Sequence, residues 1–216
     1  MKKATVLLLV FFILIAFTGC TNEKNNDTPI PTETSTIAAL PSPAETAVAV
    51  ASEAPVAPEV NPPGDIPDSQ VFIEYTSAHG GYSLQVPEGW ARTENNSTDV
   101  NFVDKFDGIS VTISESAYTL STDSVTHNFA PILQSTERAV TIKSTNEVKF
   151  TSGDAVVIAY SSNSNPDSVT NKQIRLENEA VIFISNGKMA VIRMWAPEGA
   201  DNVDQWNLMK NSFKWN

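Results

Sequence analysis

Cysteine is nearly absent from this chain: Cys20 is the only one in 216 residues. No intramolecular disulfide is possible, so an exported product would have to hold its fold by packing alone. Histidine is almost as scarce, with only His79 and His127, which leaves few groups for acid–base or metal chemistry near neutral pH. No phosphate loop, dinucleotide fingerprint or zinc-ligand spacing occurs, so no cofactor is expected. Basic residues are outnumbered, 14 Lys and Arg against 25 Asp and Glu, a formal net charge of −11. That balance repels polyanions and argues against nucleic acid as a partner. Aromatic residues are missing from Thr18 through Val71 and frequent after it.

What is present begins at the N-terminus. Met1-Lys2-Lys3 precedes an uncharged apolar run from Val6 to Phe17, which closes in Thr18-Gly19-Cys20. This is the three-part pattern of a secretory signal. The run is shorter than the roughly 20 residues a spanning helix needs, and the polar stretch from Thr21 to Asp27 follows at once. A small residue followed by Cys at the cleavage point resembles the bacterial lipobox, departing at Phe17 where that motif usually has Leu. The resemblance implies a signal peptide over residues 1–19 and lipid attachment, palmitate included, at Cys20. Acylation would consume the lone thiol and hold the mature protein at the membrane, since each buried CH₂ contributes about 0.8 kcal/mol. The expected location is extracytoplasmic, on a bacterial cell membrane.

Residues 20–69 are rich in Pro, Thr, Ser, Ala and Glu and hold nine of the chain's 13 prolines, from Pro29 to Pro67. Such a composition buries too little apolar surface to offset its ordering entropy, so it is expected to be a disordered tether. Residues 70–216 are long enough for one domain with its own core.

Within that domain, period-two alternation predicts strands at Val71–Thr76 and Tyr82–Val86 around the turn His79-Gly80-Gly81. Asp107-Gly108 reads as a hairpin turn between Val100–Lys105 and Ile109–Ser114, and Asn186-Gly187 as another between Lys172–Ser185 and Lys188–Trp195. Ser152-Gly153 marks a third. Runs such as Ala180–Ile184 and Met189–Ile192 are apolar on both faces and so should be covered on both. Ser121 or Thr122 caps a helix with Val125, Phe129, Ile132 and Leu133 on one stripe, interrupted at Pro131. A last helix, Asp201 to about Ser212, is expected to carry an Asp cap and to bury Val203, Trp206, Met209 and Phe213. The fold class that follows is α+β: an antiparallel β-sheet with helices packed on both faces.

Four segments carry a family resemblance: Gly81–Trp90, Val100–Asp107 running into Ile109–Ile113, the strand pair closed by Asn186–Lys188, and Trp206 leading to Ser212–Trp215. Together they resemble the PsbP-like domain, a family similar to the extrinsic proteins of photosystem II and to many bacterial lipoproteins. The resemblance implies an α/β/α sandwich and a binding or assembly role without catalysis. The expected partners are the membrane, through the lipid anchor, and an envelope protein or small ligand.

Two chemical alternatives stand beside that reading. His127 lies one helical turn from Asp123, a spacing at which a carboxylate orients an imidazole; with Ser121 or Ser124 this would make a serine-type hydrolase. No Ser sits in a Gly-x-Ser-x-Gly elbow, and surface pairing explains the two residues more simply. Asp104 and Asp107 beside Gly108 faintly resemble a calcium loop and would make a weak divalent-cation module, but the alternating oxygen ligands and closing Glu are missing. His79 falls in a Gly-rich turn and is expected to be solvated. Of the tryptophans, Trp195, where its strand runs out into Ala196-Pro197, is the one expected at an exposed rim.

Overall fold

The computed structural model describes residues 53–60 and 63–216. Cys20, the signal peptide and the first part of the tether lie outside the described residues. No helix among the described residues is long and apolar enough to cross a membrane.

Alternating side chains generate a 7-stranded antiparallel sheet in the order β3-β4-β5-β9-β8-β7-β6. Its strands are β3 (Ala91–Glu94), β4 (Asp99–Asp104), β5 (Asp107–Glu115), β6 (Arg138–Phe150), β7 (Gly153–Asn163), β8 (Arg175–Ser185) and β9 (Lys188–Pro197). A 3-stranded sheet joins β1 (Phe72–Ser77), β2 (Tyr82–Pro87) and β10 (Lys214–Trp215) in the order β1-β2-β10. Helices α1 (Thr122–Asn128) and α2 (Ala130–Thr136) precede β6, and α3 (Val203–Ser212) precedes β10. The α+β class, with helices on both faces, is the architecture expected from the strand pattern.

Because successive side chains in a strand point to opposite faces, each apolar strand feeds two cores. On one face Ile109, Val111, Val181, Phe183, Ile192 and Met194 pack with Tyr82 and Leu84 of the small sheet and with Trp206, Met209 and Phe213. Phe183 and Phe213 stack there with ring centroids 4.8 Å apart. On the other face Val156, Ile158, Tyr160, Ala180 and Ile182 meet Val125 of α1 and Leu133 of α2.

Several expectations are corrected. Asn186-Gly187 does turn β8 into β9, with positive φ at both residues (51° and 75°). Asp107-Gly108, by contrast, is not a turn. Asp104 pairs with Asp107, Lys105 and Phe106 form the loop, and Lys105 takes the positive φ of 51°. Gly108 lies inside β5 opposite Trp195, and a Cβ there would overlap the indole ring. This glycine is required by close approach and not by chain reversal. The first helix is interrupted beside Pro131 as expected, the break falling at Phe129 with Pro131 in the first turn of the second segment, but Ile132 is 52% exposed and not on the buried stripe. In α3, Asn202 and not Asp201 precedes the helix, and Val203 is 65% exposed while Gln205 is buried.

The last two departures share a cause. The packed body extends below residue 70: Ile66 is buried in the main core. Its backbone N–H donates to Asn202 Oδ1 at 2.6 Å, Asn202 Nδ2 donates to the Gly64 carbonyl at 2.8 Å, and Gln205 Nε2 donates to the Ile66 carbonyl at 2.9 Å. Asn202 and Gln205 therefore face the incoming chain. Further along, Asn163 receives a hydrogen bond from Val56 N–H and donates to Glu53 and the Ala54 carbonyl. Glu53 also pairs with Arg138 at 2.7 Å, and Glu59 with Lys172 at 2.8 Å. Residues 53–60 and 63–69 thus form a strap across the domain, where composition alone had suggested free tether.

Candidate functional site

Helices α1 and α2 cover only part of their face of the large sheet. Beyond them the strand registers bring Trp195, Gly108 and Val103 side by side in one row, and Arg193, Ser110 and Asn101 in the next. Tyr160, Asn178 and Ala180 continue these rows as fully buried neighbours. Lys105 and Phe106, in the loop between β4 and β5, stand at one rim, and Glu137 and Arg138, at the end of α2, at another. The groove between them, open to solvent on one side, has a volume of about 520 Å³.

The side chains on this floor are strongly coupled. Glu137, the residue that terminates α2, is 11% exposed and lies 3.0 Å from Arg193 Nη1. Its Oε1 also accepts from the Tyr160 hydroxyl at 2.9 Å. Burial pushes the Glu137 carboxyl above its ordinary range; Arg193, Tyr160 and Ser162 pull the other way. Burial likewise pushes the fully buried Tyr160 phenol upward. The Arg193 guanidinium lies over the Trp195 ring, 5.2 Å from its centroid, and the ring in turn lies over the vacant side of Gly108. Asn178, wholly buried, donates to Ser162 Oγ at 3.0 Å. Three atoms of this cluster, closed to solvent, have no hydrogen-bond partner among the described residues: Glu137 Oε2, Asn178 Oδ1 and Arg193 Nε. Folded proteins leave few such groups, and each costs about 1–3 kcal/mol. They lie beneath the groove surface and make this part of the sheet less stabilising than its apolar neighbours.

The residues singled out from the sequence lie elsewhere, except Trp195, which is half-buried on the groove floor. His127 is exposed, and its Nδ1 lies 2.7 Å from the backbone carbonyl of Asp123, not from its carboxylate. Ser121 Oγ is occupied in capping α1, accepting from Ser124 N–H at 3.1 Å. The hydrolase constellation is therefore not assembled. His79 is exposed in its turn, beside Tyr75, Arg92 and Glu94.

Asp107 is buried with Oδ1 unpartnered, and burial first, then the charges of Asp104 and Asp65, push its carboxyl up to about 7. Asp104 is exposed on the other side of the loop. No group of three or more His, Cys, Asp or Glu suited to a metal ion occurs among the described residues.

Sequence reasoning missed Glu137, Tyr160, Asn178 and Arg193. They come from α2, β7, β8 and β9, and only long-range strand pairing brings them together.

No protein-family model matches the sequence, and no curated protein does. Solved structures do match. Cyanobacterial PsbP (CyanoP) from Synechocystis sp. PCC 6803 aligns at 16% identity over 71% of this chain and 98% of its own, with a TM-score of 0.51. The Ran-binding protein Mog1p of Saccharomyces cerevisiae aligns at 13% identity over 68% of this chain and 96% of its own, with a TM-score of 0.47. The agreement with the cyanobacterial protein spans nearly its full length, and the fold of this chain is PsbP-like.

Proposed function

We propose that this protein is a lipid-anchored, extracytoplasmic binding protein. Acyl groups on Cys20 hold it at the membrane, and the PsbP-like domain captures an envelope protein or ligand without covalent chemistry. The observation that supports this reading is the groove itself, where Trp195 and the overhanging Phe106 stand beside Asn101, Ser110 and Arg193 on a face that the helices leave uncovered. Binding sites have this composition: an aromatic surface with a few fixed polar groups. The hydrolase alternative loses its support because His127 is engaged with a backbone carbonyl and Ser121 with a helix cap.

Anchoring and binding are tested separately. Replacement Cys20→Ser should abolish palmitate labelling and move the protein from the membrane to the soluble fraction; retention in the membrane would refute the anchor. For binding, a photo-crosslinking amino acid is placed in cells at Phe106, 45% exposed on the groove rim, or at Val203, 65% exposed at the start of α3, whose packed side chains belong to the opposite face of the large sheet. An adduct formed from position 106 and absent from position 203 supports the reading. Identical adducts from both positions, or none, would remove the groove as the binding surface.

A further inference from the structure

The strap closes over a carboxyl group that has no partner beneath it. Asp107, the first residue of β5, is 6% exposed, and its Oδ1 is shut off from solvent without a hydrogen bond among the described residues. The strap backbone lies against that oxygen. A Cβ on Gly64 would stand 3.1 Å from Asp107 Oδ1 and 2.7 Å from Pro197 Cδ, and Gly64 holds a φ of 135°, so only a bare glycine fits between them. Of the charges that act on Asp107, Asp104 at the end of β4 and Asp65 in the strap repel its ionised form, and Lys105 in the intervening loop attracts it. Pro197, from the end of β9, brings no charge.

The strap is fastened here by one buried side chain, Ile66, and a few polar bonds. Besides the three that join Gly64 and Ile66 to Asn202 and Gln205, Asp201 N–H donates to Asp65 Oδ1 at 2.8 Å. Pro63, Asp65, Pro67, Asp68 and Ser69 are exposed. A short segment with so little buried surface is the kind of unit that opens before a domain unfolds.

We infer that residues 63–69 form a proton-controlled latch, which closes over protonated Asp107 and is released, ahead of global unfolding, when Asp107 ionises. Opening lets water reach the carboxylate; closing forces it either to take up a proton or to stay ionised in a dry site beside Asp65. Burial first, then Asp104 and Asp65, raises the closed-state pKa to about 7 from an ordinary 3.8. Closure is therefore strongest below about pH 4, weakens as pH rises toward about 7 and is constant above it. Within that window the open-to-closed ratio rises by up to about tenfold per pH unit. Each freed residue adds up to about 3.5 Å of reach to the chain ahead of β1.

The test is hydrogen exchange of the full-length protein in neutral detergent from about pH 5 to about pH 8, each amide's rate being divided by its intrinsic rate at that pH. The Ile66 amide, bonded to Asn202, should be less protected than that of Val181 in central strand β8, and its protection should fall at least about tenfold over the range. Asp107→Asn should make the Ile66 protection independent of pH. Gly64→Ala, whose methyl would strike Pro197, should lower that protection at every pH and remove most of its pH dependence, because Asp107 is then already wetted. If Asp107→Asn fails to fold, Gly64→Ala and the unmodified protein decide. Protection of Ile66 equal to that of Val181 at every pH would mean that the strap opens only with the whole domain. That result, an Ile66 protection indifferent to pH, or a pH slope that survives Asp107→Asn would each overturn the inference. The binding role is independent of this outcome and rests on the crosslinks from positions 106 and 203.

Discussion

The two faces of the large sheet are made by the same strands and finished differently. One is sealed: α3 and the small sheet close over Ile109, Val111, Phe183, Ile192 and Met194 with stacked aromatic rings. The other is sealed only where α1 and α2 reach, and past them it exposes Arg193, Trp195, Ser110 and Asn101. The difference separates the face that stabilises the fold from the face that stays open to solvent. Apolar area removed from water stabilises at roughly 25 cal/mol per Å², and nearly all of the large aromatic burial is on the sealed face. The open face gives up part of that stabilisation and carries polar side chains such as Asn101, Ser110 and Arg193 in its place.

That contrast can be broken most forcefully at Phe183. Phe183→Ala removes a ring packed against Phe150 and Phe213 and should cost about 3–5 kcal/mol in denaturant unfolding. A loss below about 1 kcal/mol would mean the sealed face is not the stabilising one. Next is Gly108→Ala, the one position on the open face that should not tolerate change. The new methyl would collide with Trp195, so a loss of about 1–3 kcal/mol and a red-shifted tryptophan emission are expected. Adding Trp195→Ala to Gly108→Ala should return part of the stability.

Asp107 sharpens the comparison from the sealed side. Its folded pKa of about 7 lies above the ordinary 3.8, so between those values the native state binds a proton that the unfolded chain does not. Stability should therefore fall as pH rises from about 4 to about 7 and level off above, with Asp65, Asp104 and Lys105 as the neighbouring charges. Asp107→Asn should flatten that slope and raise stability at pH 8 by at least about 1 kcal/mol, read from unfolding midpoints across pH. The smallest effect belongs to His127→Ala, an exposed contact on α1, which should change stability by less than about 0.5 kcal/mol and leave groove binding untouched.

Much of the fold was legible because its signals are local. Alternation in Tyr82–Val86, the two-sided apolar runs of β8 and β9, the break at Pro131 and the turn at Asn186-Gly187 all depend on residues a few positions apart. The failures are equally instructive. Asp107-Gly108 and Asn186-Gly187 look alike as dipeptides, but one glycine supplies a positive φ and the other makes room for a ring arriving from position 195. No local signal marks Asn202 and Gln205, because their partners, Gly64 and Ile66, are more than 130 positions away. For the site, only Trp195 was noticed. Glu137 and Arg193 become a pair when α2 ends above β9, and no spacing within the sequence encodes that meeting.

The strap also has a mechanical consequence. Among the described residues, the chain ahead of β1 is fastened by residues 53–56 to Asn163 and Arg138, by Glu59 to Lys172, and by Gly64 and Ile66 to Asn202 and Gln205. Tension applied at residue 53 therefore loads these contacts in series ahead of the β1–β2 pairing. Asn163 and Arg138 also line the groove. The contact made by residues 53–56 is thus part of the groove wall, and tension on the segment ahead of β1 is felt at the groove as well as at the core.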